Sequence, residues 1–123
     1  MTDERVFTVD EAEAELQGLR ERLPRLRAAR EGLIASSRRI TDAVASDGGG
    51  VAGSDWFVHQ EALKAEVLYL ADHGIILRDP ETGLVDFPAE REGRRVFLCW
   101  KLGEERVGWY HEATGGFGGR RRL

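Results

Sequence analysis

The feature that most constrains this chain is a long heptad pattern near its start. Residues 8–45 carry apolar side chains at an unbroken spacing of three and four: Leu16, Leu19, Leu23, Leu26, Leu33, Ile40 and Val44, with Arg30 and Ser37 in the two gaps. Such spacing places one apolar stripe along an α-helix. Thr8 followed by Glu11 predicts a capping box at the start of this helix, and Pro24 predicts a kink or a short break within it.

A second, shorter helix is predicted from 55 to 73, after a glycine-rich segment at 46–53 that we expect to be a flexible linker. At 1.5 Å per residue the first helix spans about 57 Å and the second about 28 Å. A hairpin within one chain then covers about half of the first helix. The remainder must fold back at Pro24 or bind a partner chain.

Beyond the second helix, apolar and polar residues alternate, which predicts a small antiparallel β-meander over 75–112. Turn-forming residues at 79–83 separate two of its strands. The tail, 113–123, is rich in Gly and Arg, and we expect no regular structure there. The sequence therefore predicts a single α+β domain, 1–123, in which a two-helix antiparallel hairpin packs with a meander of three to four strands.

Composition narrows the classes of function. The single cysteine excludes an internal disulfide and a Cys-rich zinc module, and no apolar run approaches the ~20 residues of a membrane span. The start, MTDERVF, is unlike a signal or transit peptide, so we expect a cytoplasmic protein that does not associate with membranes. The net charge is −4, with 2 basic against 8 acidic residues over 54–90 and 8 against 4 over 91–123. This acidic balance disfavours a dedicated nucleic-acid binder.

The residues that can carry chemistry concentrate in the meander, where Asp86, Cys99, Glu104 and His111 occur. Cysteine, histidine and carboxylate are the ligands of zinc and other divalent transition metals. A Cys–His pair can also form a nucleophilic site. The structural alternative is a Cys99 packed as a small apolar residue and a His111 hydrogen-bonded at a sheet edge.

Whether Cys99 and His111 meet depends on the turn between their two strands. A two-residue turn at 104–105 points Cys99 to the opposite side of the sheet from His111. A three-residue turn at 104–106 sets the two side chains directly opposite each other. The sequence Glu-Glu lacks the Gly or Asn-Gly that the shorter turn prefers, so both registers stay open.

Aromatic residues flank the same turn. With the two-residue turn, Trp100 faces Trp109 in a cross-strand pair that stabilises the sheet. The functional alternative is that Trp100, Trp109 and Tyr110 form an aromatic wall of a ligand pocket.

Three stretches resemble the DUF2203 family of small bacterial and archaeal proteins of unknown function: GLVDFP at Gly83–Pro88, LCWKLGE at Leu98–Glu104 and HEATGGFGGR at His111–Arg120. With FTVDEAEAEL near the start, the resemblance covers nearly the whole chain. Family members usually have Trp immediately before the His-Glu pair, where this chain has Tyr110, and tend to have Pro where it has Arg122. The resemblance implies a shared fold, and it implies no activity, cofactor or catalytic residue.

Two hypotheses of function follow. The leading one is a non-enzymatic assembly or interaction protein that forms a homodimer through the long heptad helix. The alternative is a protein that binds a divalent transition metal such as zinc, or a small ligand, on the meander around Cys99 and His111. The sequence leaves open whether the protein is an enzyme.

Overall fold

The computed structural model describes residues 4–47 and 54–123 and shows an α+β fold. Two helices, α1 (Val9–Asp47) and α2 (Ser54–Asp72), are followed by five strands: β1 (Ile76–Asp79), β2 (Leu84–Arg91), β3 (Arg94–Lys101), β4 (Trp109–Glu112) and β5 (Arg121–Arg122). The strands lie side by side in chain order, each antiparallel to the next. The predicted architecture is confirmed, with one strand more than expected. Most of the predicted linker, 46–53, lies outside the described residues.

Helix α1 begins at the predicted capping box. The Thr8 amide donates to Glu11 Oε1 at 2.8 Å, and the Glu11 amide donates to Thr8 Oγ1 at 3.1 Å. The backbone hydrogen bond from Thr8 is the main reason that the pKa of Glu11 lies below its ordinary value.

Pro24 lies inside α1, and the helix continues through it, so the predicted alternative of a short break is wrong. Burial of Leu23 and Leu26 on either side holds the segment on the core and offsets the missing hydrogen bond.

The first half of the heptad stripe packs in the core of the same chain. Its first four leucines are no more than 2% exposed. The core joins Leu16, Leu19, Leu23 and Leu26 of α1 to Leu70 of α2 and to Val85, Phe87, Val96, Leu98 and Trp100 of the sheet. These leucines are therefore not available to a second chain. The later residues of the stripe are less buried, and Val44 is exposed.

Two glycines let α2 lie close against α1. A Cβ at Gly18 would lie 2.9 Å from the Tyr69 hydroxyl oxygen, and a Cβ at Gly32 would lie 2.4 Å from the His59 ring. A larger residue at either position would force the Tyr69 or the His59 side chain to move. These contacts place one side of α2 on α1 and leave the opposite side exposed.

Neither helix, within the described residues, is long and apolar enough to cross a membrane.

Two tight turns set the first hairpins of the sheet. The predicted turn at 79–83 is present, and the Asp79 side chain accepts hydrogen bonds from the Glu81 amide and the Thr82 hydroxyl. Strands β2 and β3 are joined by Glu92 and Gly93, whose φ angles are 53° and 76°. Two successive positive φ angles are typical of a type I′ turn, which matches the twist of a hairpin.

The register of β3 and β4 differs from both predicted registers. Cys99 lies opposite Trp109, and Phe97 lies opposite His111. Cys99 and His111 therefore share a face of the sheet as diagonal neighbours. The predicted cross-strand pair of Trp100 and Trp109 is wrong, because these residues point to opposite faces.

A longer connection explains this register. Residues 102–108 join β3 to β4, where turns of two or three residues were expected. The Trp100 indole N–H donates to the Glu104 carbonyl at 3.0 Å, and the Lys101 amide donates to Glu104 Oε1 at 2.9 Å. The loop thus supplies acceptors for the buried indole and for the backbone amide at the end of β3.

The tail also departs from expectation, because it forms β5 on the edge of the sheet. Arg121 pairs with Tyr110 and Arg122 with Trp109, while the Leu123 amide donates to the Gly108 carbonyl at 2.9 Å. The prediction that 113–123 lacks regular structure is therefore wrong.

Candidate functional site: a polar pocket on the outer face of the sheet

The face of the sheet that points away from the helices carries a cluster of polar side chains. Asp86 on β2 lies directly opposite Cys99 on β3, and His111 follows on β4. Arg78 on β1 reaches the cluster from the other edge. A cavity of about 280 Å³ opens beside them, lined by Arg78, Leu84, Asp86, Cys99, His111, Ala113, Thr114, Gly116 and Phe117. Because alternate residues of a strand face opposite sides, the core-facing pattern of β2 dictates where Asp86 points.

Asp86 is the centre of this pocket. Its side chain is 1% exposed, and its Oδ2 accepts hydrogen bonds from Arg78 Nε at 2.7 Å and from His111 Nε2 at 2.8 Å. Its other oxygen, Oδ1, is buried and has no hydrogen-bond partner among the described residues. Leaving a buried acceptor unpaired costs roughly 1–3 kcal/mol, and more for a charged group. Among the described residues, Oδ1 is therefore the oxygen of Asp86 that lacks a hydrogen-bond donor.

Both ring nitrogens of His111 are occupied. Nδ1 lies 2.7 Å from the Glu112 carbonyl oxygen, which can only accept, so Nδ1 carries a proton. Nε2 lies 2.8 Å from Asp86 Oδ2, so a hydrogen bond joins the two side chains. The ring also stacks on Phe97, with centroids 5.4 Å apart. His111 thus orients Asp86, and neither of its nitrogens is free to act on a ligand.

Cys99 is a buried free thiol. Burial foremost, and the Asp86 carboxylate after it, raise the pKa of Cys99 to about 11, while the nearby Arg120 opposes the rise. The thiolate is the reactive form of cysteine, and at neutral pH this residue stays protonated. Cys99 therefore forms part of the wall and is not an activated nucleophile.

The predicted metal ligands are only partly brought together. Asp86, Cys99 and His111 share the pocket, whereas Glu104 lies in the loop 102–108 and bonds to Lys101 and Arg120. In the part of the chain that the structure describes, no group of three or more His, Cys, Asp and Glu is placed to hold a metal ion. The metal hypothesis stays a prediction.

Arg120 holds the tail of the chain against the sheet beside the pocket. Its guanidinium carbon lies 4.6 Å from the Trp109 ring centre and 4.7 Å from that of Phe117, and its Nη2 donates to Glu104 Oε2 at 2.7 Å. Cation–π contacts of this kind contribute about 0.5–2 kcal/mol each. The contacts bring Phe117 and Gly116 to the rim of the pocket.

The predicted aromatic residues divide between two faces. Trp100 is fully buried on the helix side, where Tyr110 also packs against the core, and Trp109 lies on the outer side. These three do not form one wall, and Phe117 is the aromatic residue that lines the pocket. Sequence reasoning missed Phe117 and Arg78. The run of glycines around Phe117 was the available signal, because it allows the tail to approach the sheet closely.

The fold and the site together define a small α+β protein with a carboxylate-centred pocket on the outer face of an antiparallel sheet. The chain belongs to the DUF2203 family, whose description is "Uncharacterized conserved protein". The family profile matches residues 5–123 of the chain. This match confirms the resemblance inferred from the motifs. No curated protein matches the chain, and no solved structure matches it.

Proposed function

We propose that the protein binds a small polar ligand in the pocket around Asp86. The ligand donates an N–H or O–H group to Asp86 Oδ1 and presents an anionic group to Arg78. The observation that carries this proposal is the buried, unpaired Oδ1 beside a cavity of about 280 Å³. A small compound with both an ammonium and a carboxylate group fits this description.

The carboxylate is held ready for such a donor. Arg78 and His111 both bond to Oδ2, so they fix the plane of the carboxylate and leave Oδ1 available. A hydrogen bond to a charged group contributes roughly 1.5–3 kcal/mol. Since the acceptor is already oriented, little side-chain entropy is lost on binding.

Arg78 supplies the second contact. Its Nε bonds to Asp86, and no described residue accepts a hydrogen bond from its terminal amino groups. A guanidinium group binds a carboxylate through two parallel hydrogen bonds, which gives both affinity and orientation. The cavity is smaller than a drug-sized site, so the ligand contains few non-hydrogen atoms.

The same groups favour binding over catalysis as the proposed role. At this site a Cys99 nucleophile would need its thiolate form, and a His111 general base would need a free ring nitrogen. Cys99 holds its proton, and both nitrogens of His111 are hydrogen-bonded. A free buried thiol also suits a reducing compartment, and we propose the cytoplasm.

A titration of ¹⁵N-labelled protein tests this function with three probes: glycine, methylamine and acetate. Glycine carries both an ammonium group, which can donate to Asp86, and a carboxylate, which can bind Arg78. Methylamine carries only the ammonium group and acetate only the carboxylate. We expect glycine to shift the amide signals of Asp86, Cys99 and His111 in a saturable manner. Methylamine and acetate each lack one of the two contacts. We expect each to bind roughly tenfold or more weakly than glycine, because each contact contributes at least about 1.5 kcal/mol.

Two variants make the titration specific. Asp86→Asn removes the acceptor charge and abolishes the glycine response, while the dispersed spectrum reports that the fold is intact. Glu90→Gln removes a charge from an exposed residue of the same strand and leaves the response unchanged. The proposal fails if none of the probes gives a saturable shift, or if Asp86→Asn responds as the parent does.

A further inference from the structure

The exposed side of α2 carries an apolar stripe. Phe57, Val58 and Leu68 are 65%, 66% and 50% exposed, and the intervening Ala62 and Ala65 are exposed as well. An amphipathic helix on a monomer normally presents polar residues to solvent. Several apolar residues exposed together on an outward helix face are typical of a protein–protein contact.

The stripe faces away from the rest of the chain. Contacts to α1 are made by the other side of α2, where His59, Glu66 and Tyr69 meet residues of α1. The stripe is also distant from the ligand pocket, which lies on the far face of the sheet. Its function is therefore separate from the proposed ligand binding.

The stripe is roughly symmetric about the segment 62–65, because Val58 and Leu68 stand on either side of it. Large apolar residues stand at both ends and alanines stand in the middle. If a second copy packs antiparallel, Val58 lies opposite Leu68 of the partner subunit and Ala62 lies opposite Ala65 of the partner subunit. Each alanine lets the helices approach closely, and the pattern meets the self-complementarity that a two-fold contact requires.

Charge gives a second, independent reason for this orientation. Glu61 and Lys64 also lie on the exposed side of α2, and neither makes an ion pair within the described residues. In the antiparallel arrangement Glu61 lies opposite Lys64 of the partner subunit, and symmetry produces this pair twice. A parallel arrangement would place like charges against each other, which disfavours it.

We propose that two copies of this chain form a two-fold symmetric dimer through antiparallel contact of their α2 helices. The partner is a second copy because both the apolar stripe and the charges are complementary to themselves. The contact lies on α2, whereas the sequence-based hypothesis placed it on the long first helix, whose leucines are buried within the chain.

Light scattering after size-exclusion chromatography gives the first test. At a loading of about 100 μM, where a micromolar dimer is associated, the parent elutes with twice the 13.8 kDa mass of the chain. Leu68→Asp buries two symmetry-related charges and weakens the dimer by at least about 100-fold, giving a 13.8 kDa species with an unchanged circular dichroism spectrum. Val44→Asp, at an exposed apolar residue of α1, remains dimeric.

Charge reversal gives the sharper test. Glu61→Lys and Lys64→Glu each create two like-charge contacts and weaken the dimer by about tenfold, while the double variant restores the affinity. A mixture of the two single variants forms heterodimers, detected by native mass spectrometry. A monomeric parent at about 100 μM overturns the proposal. So does a double variant that is as weak as the singles, or a Val44→Asp variant that becomes monomeric.

Discussion

The neighbours of a side chain decide what it can do in the pocket. By residue type alone, Cys99 and Glu104 are both candidate metal ligands, and no pattern in the sequence separates their roles. In the structure, burial and, after it, the neighbouring Asp86 carboxylate raise the pKa of Cys99 and keep its proton in place. Glu104 uses one oxygen for the Lys101 amide and the other for Arg120. The sequence identified the chemical groups, but their pairing depends on tertiary contacts between four strands and a loop.

The first residue-scale prediction concerns the reactivity of Cys99. A rise of the pKa from 9.0 to about 11 leaves roughly a hundredth of the ordinary thiolate fraction at pH 8. We expect iodoacetamide to modify the folded protein at least 100-fold more slowly than the protein unfolded in urea, as followed by mass spectrometry. A similar rate in the two states would contradict the protonated thiol.

The second residue-scale prediction concerns pH and stability. The folded protein holds the Cys99 proton more tightly than the unfolded chain does, so this contribution to stability is complete below about pH 9. It is lost as the pH rises toward about 11, because the unfolded chain releases the proton first. Between these pH values, urea unfolding should show the parent losing roughly 1–2 kcal/mol more than Cys99→Ala does. Parallel pH profiles would refute the prediction.

At the scale of elements, the capping box and the tight turn were read correctly, whereas the irregular loop before β4 and the strand in the tail were not. The capping box at Thr8 and the turn that follows Asp79 depend on residues two or three apart, and both are present. The register of β3 and β4 depends on the loop 102–108, where the Trp100 indole bonds to the Glu104 carbonyl four residues on, and the rules for two- and three-residue turns do not describe such a loop. Strand β5 depends on Arg120, whose partners Trp109 and Glu104 are distant in sequence.

The turn between β2 and β3 gives a prediction at this scale. Glu92 has a positive φ of 53°, a conformation that costs most residues other than Gly and Asn about 1 kcal/mol. Glu92→Asn should raise the free energy of unfolding by roughly 0.5–1 kcal/mol and the melting temperature by about 2–4 °C. Glu92→Gln changes the charge without relieving the backbone and should give no gain. Equal melting temperatures for the Asn and Gln variants would count against the type I′ turn.

At the scale of the whole molecule, the heptad stripe shows why a pattern can identify a helix but not its partner. The spacing of Leu16, Leu19, Leu23 and Leu26 suits a second helix as well as a sheet. In this protein the leucines pack against the sheet, and they bury the apolar face of the meander. The α+β class followed from the order of the elements along the chain, and the packing of α1 did not.

This packing predicts different outcomes at two leucines. Leu19 is fully buried in the core, so Leu19→Asp adds an unpaired charge that costs several kcal/mol, a large part of the stability of a domain this size. We expect loss of the helical circular dichroism signal at 25 °C or a much lower melting temperature. Leu68→Asp lies on the exposed stripe and should keep the folded signal. A folded, monomeric Leu19→Asp variant would contradict the buried position.

The pairing of Asp86 has a consequence for folding specificity. Its two donors come from opposite sides of β2, Arg78 from the neighbouring β1 and His111 from β4, which lies beyond β3. They meet Asp86 only when β1, β3 and β4 are all correctly aligned. A slip of one residue would turn Asp86 toward the leucines of α1, an arrangement that a buried carboxylate strongly disfavours. The group proposed to bind the ligand therefore also discriminates between correct and shifted alignments of the sheet, so that only the native arrangement is competent to bind.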